Sequence, residues 1–274
     1  MTNIIDNKYF AFYSSFFGLI LGILGLIQSN NILAIVGSII FTLAIFFIIL
    51  YFIEKRKFKY LNMEIENRRI ESLNFANLRR LTNKSLLIKK AYHKYVIKNS
   101  DLKITFLYDG QCLTGSETGI VFSIDSDIFI PYDILDIIGY DLINDSKKQN
   151  PIKPKLLGKD GNSKKVKLFF FEPLFKNKEF SILLKINLHG CMNFGHDYIT
   201  ATLSFHNNPI SELKTKICFI DKLPKQIDVY KVKDTKPVRV KSLKYEEKEK
   251  NKICFIDKYN NVDAQQTIVY SFNR

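Results

Sequence analysis

From Tyr9 through Ile53 the chain carries no charged side chain, a run of 45 positions interrupted only by the polar trio Ser29, Asn30 and Asn31. A helix needs about 20 apolar residues to cross roughly 30 Å of hydrocarbon. The run therefore predicts two spans, Tyr9 to Gln28 and Ile32 to Ile53. A three-residue connection supports no external domain, so residues 1–53 are expected to form a tight antiparallel transmembrane hairpin. The first span does not read as a cleaved signal peptide. No basic stretch precedes it beyond Lys8, no A-x-A site follows, and a second span begins at once.

Beyond Ile53 the pattern changes. Phe58, Leu61 and Ile65, then Ile70, Leu73, Leu78 and Leu81, recur at helical spacing among charges, which predicts a basic juxtamembrane helical segment over residues 54–98. After Asn99 come short runs rich in Ile, Val, Phe and Tyr. They are Leu102 to Tyr108, Gly119 to Ile124, Ile128 to Tyr132, Lys165 to Phe171, Phe180 to Leu188 and Tyr198 to Phe205, then Lys216 to Asp221, Ile227 to Val232, Val238 to Leu243, Lys252 to Asp257 and Thr267 to Phe272. Turn dipeptides such as Asp109-Gly110 and Asn260-Asn261 punctuate them. This spacing predicts a mainly antiparallel β sandwich or barrel over residues 99–274, either one domain or two divided near 190–213. Lys147 to Lys165, with two Pro and two Gly, reads as a loop. The fold class is thus a membrane protein with a hairpin, a juxtamembrane helix and a β-rich cytosolic region.

Charge sets the orientation. The net charge is +14, of which residues 54–98 carry +9, from thirteen Lys or Arg against four Glu. Basic residues are retained on the cytoplasmic side, so both termini are expected inside, with the protein multi-pass in a bacterial inner membrane. Lys55, Arg56, Lys57, Lys59, Arg68, Arg69, Arg79 and Arg80 are the candidates for binding anionic lipid headgroups; nucleic acid is the other polyanion to consider. The four cysteines would then sit in a reducing compartment and are expected as free thiols. Ser14, Gly18 and Gly22 in the first span, and Ala34 and Ser38 in the second, recur every four residues. Small residues at that spacing let helices approach closely, either within one hairpin or between copies in a homo-oligomer.

Candidate chemistry is sparse. Asp125, Asp127, Asp133, Asp136, Asp141 and Asp145 fall in 21 residues that hold no Lys or Arg; they fit an oxygen-ligand cation site or ordinary turns and a solvent face. His189, Cys191, His196 and Asp197 crowd into HGCMNFGHD, but no second half-site completes a zinc set, and no metal or cofactor is expected. The phosphate-loop, dinucleotide, zincin and nucleophile-elbow motifs are absent, so an enzyme is not expected. A Cys-His enzyme using Cys191 with His189 or His196 is the alternative. The heptad KICFIDK occurs at 216–222 and again at 252–258. The copies do not extend beyond seven residues, and two fall short of the three that a repeat array needs. They read as two interior strands, with Cys218 and Cys254 as small buried apolar residues.

Two resemblances add to this. IFIPYDILDIIGYDL, at 128–142, looks like the lipid-side strands of bacterial pleckstrin-like and GRAM-like domains. The charge-free hairpin followed by a strand series is similar in architecture to the two-transmembrane β effectors of bacterial anti-phage defence. That resemblance implies a nucleotide signal bound by the β domain, oligomerisation and membrane damage. The leading expectation is therefore a β domain that senses a ligand or protein partner and transmits assembly to the hairpin. A constitutive scaffold that binds anionic lipid and a partner is the alternative.

Overall fold

The computed structural model describes residues 8–27, 31–72, 83–125, 131–132, 135–160, 163–192, 195–202, 209–233, 235–249, 251–263 and 266–274. The chain divides into two compact units, residues 1–68 and 69–274.

The first unit contains α1 (Lys8–Ile27) and most of α2 (Asn31–Glu71). They meet backbone to backbone. A Cβ added to Gly37 would stand 2.4 Å from the Gly22 nitrogen and 2.9 Å from the Gly18 carbonyl oxygen, and one added to Gly18 would stand 2.9 Å from the Phe41 nitrogen. A larger residue at Gly18 or Gly37 would strike the backbone of the other helix. Gly25 and Ala44, one heptad on from Gly18 and Gly37, are also buried. The large apolar side chains, among them Phe16, Ile23, Ile35, Ile39, Phe46 and Phe47, point outward. Gly18 and Gly22 lie against Gly37 where the two helices meet. Ser38 is exposed, and the α2 contact is made instead by Gly37, one residue earlier and so about 100° around the helix. The side chains of Ser14 and Ala34 lie outside the described set.

Among the described residues, Ile35–Phe58 is the one stretch long and apolar enough to cross a membrane; α1 contributes a shorter apolar run, Gly18–Ile27. At 41 residues, α2 is about 60 Å long at 1.5 Å per residue. It therefore outruns the hydrocarbon about twofold, and the basic segment continues the same helix as far as Glu71.

The second unit is β-rich and corrects the expected helix over 54–98. Helix gives way well before Lys98, and Leu86–Lys98 is strand β1. Its buried positions alternate, at Leu86 and Ile88 and then at Ala91, His93, Tyr95 and Ile97. A bulge between Ile88 and Lys90 shifts the phase by one, which hides a period of two behind an apparent helical spacing. The remaining strands are β2 (Asp101–Cys112), β3 (Ser116–Ile124), β4 (Asp136–Asp141), β5 (Lys155–Asp160), β6 (Ser163–Phe175), β7 (Glu179–Leu188) and β8 (His196–Thr202), followed by β9 (Ile210–Phe219), β10 (Ile227–Lys233), β11 (Lys236–Leu243), β12 (Glu247–Glu249), β13 (Lys252–Val262) and β14 (Thr267–Asn273). β5 occupies part of the expected 147–165 loop, pairing with β6. The expected strand at 128–132 lies mostly outside the described residues.

Among the described residues three sheets result: β12-β13-β9-β1-β2-β7-β4, β11-β10-β14-β8, and β3-β6-β5. Pairing among the described residues is antiparallel except for β1 beside β9. Both small sheets cover the same face of the large one. Phe122 of β3 stacks on Phe106 and Tyr108 of β2, and Phe272 of β14 meets Phe219 of β9 edge-on. One contiguous core runs from Ile120, Leu168 and Leu184 to Ile217, Phe255 and Ile268. The β region is therefore a single sandwich rather than two domains.

The two KICFIDK copies lie against each other. β13 pairs with β9 so that Cys254 faces Cys218, Phe255 faces Ile217 and Ile253 faces Phe219. Identical segments paired antiparallel about their third residue make a local pseudo-twofold. That register brings the two Cα atoms to 4.1 Å and joins the sulfurs in a disulfide, which corrects the expectation of free thiols at these positions. Cys112 and Cys191 are free.

Candidate functional site

The described residues of HGCMNFGHD, all but Asn193 and Phe194, act as a clasp. Gly190, at φ 68°, turns the chain out of β7 in a conformation that favours glycine, and its N–H donates to Asp101 Oδ1 at 3.1 Å. That bond, with His189 beside it, holds the Asp101 carboxyl below its ordinary range. His189 Nδ1 is 3.4 Å from Asp101 Oδ2, both side chains well exposed. Asp197 is buried and meets Arg274, whose Nη2 lies 2.7 Å from Asp197 Oδ2. The same guanidinium donates to the carbonyls of Met192 at 2.7 Å and Asn99 at 2.6 Å. Cys191 directs its Sγ at the Leu188 carbonyl, 3.9 Å away. Burial, with Asp197 and Asp101 nearby, pushes its thiol up to about 11, so it stays protonated near neutrality and is a poor nucleophile. The four residues share one loop region, but their bonds tie chain segments together.

The acidic set resolves the same way where it is described. Asp141 accepts from the backbone N–H groups of Ile143 and Phe171. Asp145 caps the N–H groups of Gln149 and Asn150, and Asp136 accepts from Asn187. Asp127 and Asp133 lie outside the described residues. Among the described residues, no three His, Cys, Asp or Glu side chains converge on a metal position.

Of the basic candidates, Lys55, Arg56 and Lys57 are exposed on α2, with Lys55 Nζ 5.6 Å from the centre of the Tyr51 ring. Arg68 pairs with Glu64 one turn back, at 2.6 Å. Arg69 belongs to the second unit, where it donates to the His196 carbonyl at 3.0 Å, while the neighbouring Ile70 packs with Tyr230, Val232 and Val269. Arg79, Arg80 and the Lys59 side chain lie outside the described residues.

A further polar group, not foreseen from the sequence, crosses the covered face of the large sheet. His93, Thr215 and Asp257 are direct register neighbours on β1, β9 and β13, and all three are buried. Tyr108 Oη is 2.8 Å from His93 Nε2, and His93 Nδ1 has no partner. Tyr270 donates to Asp257 Oδ2 at 3.1 Å, and Lys241 reaches the other oxygen. Burial drives His93 down to about 3 and raises Tyr95, Tyr108 and Tyr270 above the ordinary phenol range. His93 is therefore neutral and the phenols protonated at neutral pH, a state suited to internal hydrogen bonding and without a general acid or base poised near 7. The visible signal was the alternation Ala91, His93, Tyr95, which the helical reading of this segment obscured.

No family model matches the chain, and no curated protein is similar to it. Among solved structures, it is similar over 69% of its length to the M1 zinc metallopeptidase of Deinococcus radiodurans, with a TM-score of 0.42 and 10% identity. A point mutant of that enzyme with a Tyr-Ser-Ala substrate bound gives 0.43 and 9%. A Legionella pneumophila protein assigned to nutrient binding matches over 70% of this chain and 68% of its own, with a TM-score of 0.42 and 9% identity. The chain spans 43% of the metallopeptidase it matches.

Proposed function

We propose that this is a multi-pass bacterial inner-membrane protein whose cytoplasmic β sandwich binds a ligand or partner and relays assembly to a transmembrane hairpin of α1 and α2. One observation carries the reading. The two helices close on each other through glycine and present large apolar side chains outward, and the apolar stretch of α2 gives way to the exposed Lys55-Arg56-Lys57 collar. In water such a surface is a liability; in lipid it is the expected solution, because helix contacts there rest on close packing rather than on hiding apolar area. Binding is favoured over catalysis because the described His, Cys and Asp clusters are engaged in structural bonds. Two spans enclose no conduction path, so membrane damage of the kind that the defence-effector resemblance implies requires several copies.

Topology and assembly test the two halves of the reading separately. A single cysteine at Asn30, in a chain whose own cysteines are replaced, should react with an impermeant maleimide in intact spheroplasts, whereas one at Lys59 should react only after lysis. An unreactive Asn30 position rejects the hairpin. For the second half, induction of the full-length chain in phage-infected cells should depolarise the membrane and shift the protein to a larger crosslinked species. A constant oligomeric state with salt-sensitive lipid binding identifies a constitutive scaffold instead.

A further inference from the structure

The uncovered face of the three-stranded β3-β6-β5 sheet carries a surface that the hairpin does not explain. Along β6 the inward positions Val166, Leu168 and Phe170 are buried. The alternate positions are Lys165, Lys167, Phe169 and Phe171, and both of these phenylalanines are exposed, Phe171 to 45%. Lys155 stands beside Lys167 in the register. At the far end β6 bulges. Glu117 pairs with Leu174 but Gly119 with Phe169, so four residues, Phe170 to Pro173, face Thr118 alone. Such bulges re-aim side chains. This one projects Phe171, and Phe175 follows at 62% exposure. Buried Asp141 binds the N–H groups of both Phe171 and Ile143, which sets the exposed Ile143 beside the same end. Leu157, in a second bulge on β5, is exposed as well.

We propose that this face docks on an anionic phospholipid surface, with Phe171, Phe175 and Ile143 entering the headgroup boundary and Lys155, Lys165, Lys167 and Lys176 meeting phosphate. The inference rests on the membrane reading above. Three things favour lipid over a protein partner. On the outward face of β6 the apolar pair Phe169 and Phe171 directly follows the lysine pair Lys165 and Lys167. Lys167 Nζ stands 5.5 Å from the Phe169 ring centre, so charge and ring are presented together, the composition that interfacial elements share. The five lysines of these strands outnumber their three carboxylates, Glu117 on β3, Asp160 at the end of β5 and Glu172 in the bulge. A tether at a bilayer also keeps lipid at high effective concentration. Each lysine near an anionic surface is worth roughly fivefold in partitioning.

The chain has no tryptophan, so single Trp reporters in the full-length protein are read without background. Phe171→Trp, and independently Phe175→Trp, reconstituted into phosphatidylcholine vesicles with about one-third phosphatidylglycerol, should shift to the blue. Their emission should fall by roughly half with lipids brominated near the headgroup. Both responses should be absent in pure phosphatidylcholine and lost with Lys165→Glu plus Lys167→Glu. Phe46→Trp in α2, near the middle of the apolar stretch, should be quenched in both vesicles by lipids brominated deep in the acyl chains, and Tyr245→Trp in neither. Reporters at 171 and 175 that stay aqueous while Phe46→Trp is quenched overturn the proposal, leave the anchor intact and assign the face to a protein. Equal quenching in neutral vesicles also overturns it. An unquenched Phe46→Trp rejects the membrane reading itself.

Discussion

His93 has a folded pKa of about 3, against about 6.5 for a free imidazole. The uncharged Tyr95, Phe106 and Tyr108 rings surround it, so the fold accepts only its neutral form. The depressed value means that this contribution is complete above about pH 6.5 and declines as pH falls toward 3, by at most ~1.4 kcal/mol per pH unit. His93→Phe should flatten the dependence of the urea midpoint between pH 6.5 and 4, while lowering stability near neutral pH by about 1–3 kcal/mol because the Tyr108 hydroxyl loses its partner, a deficit that shrinks as pH falls. A slope unchanged by the substitution would show that other groups control acid sensitivity. Arg274 makes the second residue-scale prediction. Its guanidinium answers one buried carboxylate and two carbonyls, so Arg274→Ala should cost about 3–5 kcal/mol in thermal unfolding by leaving Asp197 uncompensated. Arg274→Lys should recover only part, because an ammonium lacks the planar fork that spans three acceptors.

At the scale of elements, period two made most strands legible. Phe180 to Leu188 and Thr267 to Phe272 are close to β7 and β14 as found. β1 was hidden because its bulge breaks the alternation and its outward positions include Lys89, Lys90 and Lys94, which imitate a charged helix. β5 was hidden by Gly158, which sits in a bulge, where glycine does not end a strand. The heptad identity was plain in the sequence, but its meaning depended on register: only pairing about Cys218 and Cys254 turns two similar strands into a crosslinked pair. The loop candidates were legible as a cluster and not as a function, since the bonds that occupy them come from Arg274 and Asp101, 77 and 88 residues away from Asp197 and His189 respectively.

For the whole molecule, the collar and the crosslink point in different directions. Basic residues after a span are retained in the cytoplasm, whereas disulfides persist in oxidising compartments. With the β unit cytoplasmic, acid-quenched cells should yield a chain with all four cysteines alkylated, and aerated purified protein should yield two, because the opposed pair at 4.1 Å closes once reductant is gone. Only two alkylated in the quenched cells would move the sandwich to the other side of the membrane.

The parallel pairing of β1 with β9 has a consequence for synthesis. β1 takes β9 as its neighbour with Lys90 opposite Glu212, so 122 residues must emerge between the two. At roughly 5–20 residues per second, one edge of β1 waits about 6–24 seconds with open N–H and C=O groups, close to any other nascent chain on the same message. Crowded translation is thus the stage at which this protein is most exposed to mispairing, and slowing codons placed after Phe219 would do less harm than the same codons before Ile210.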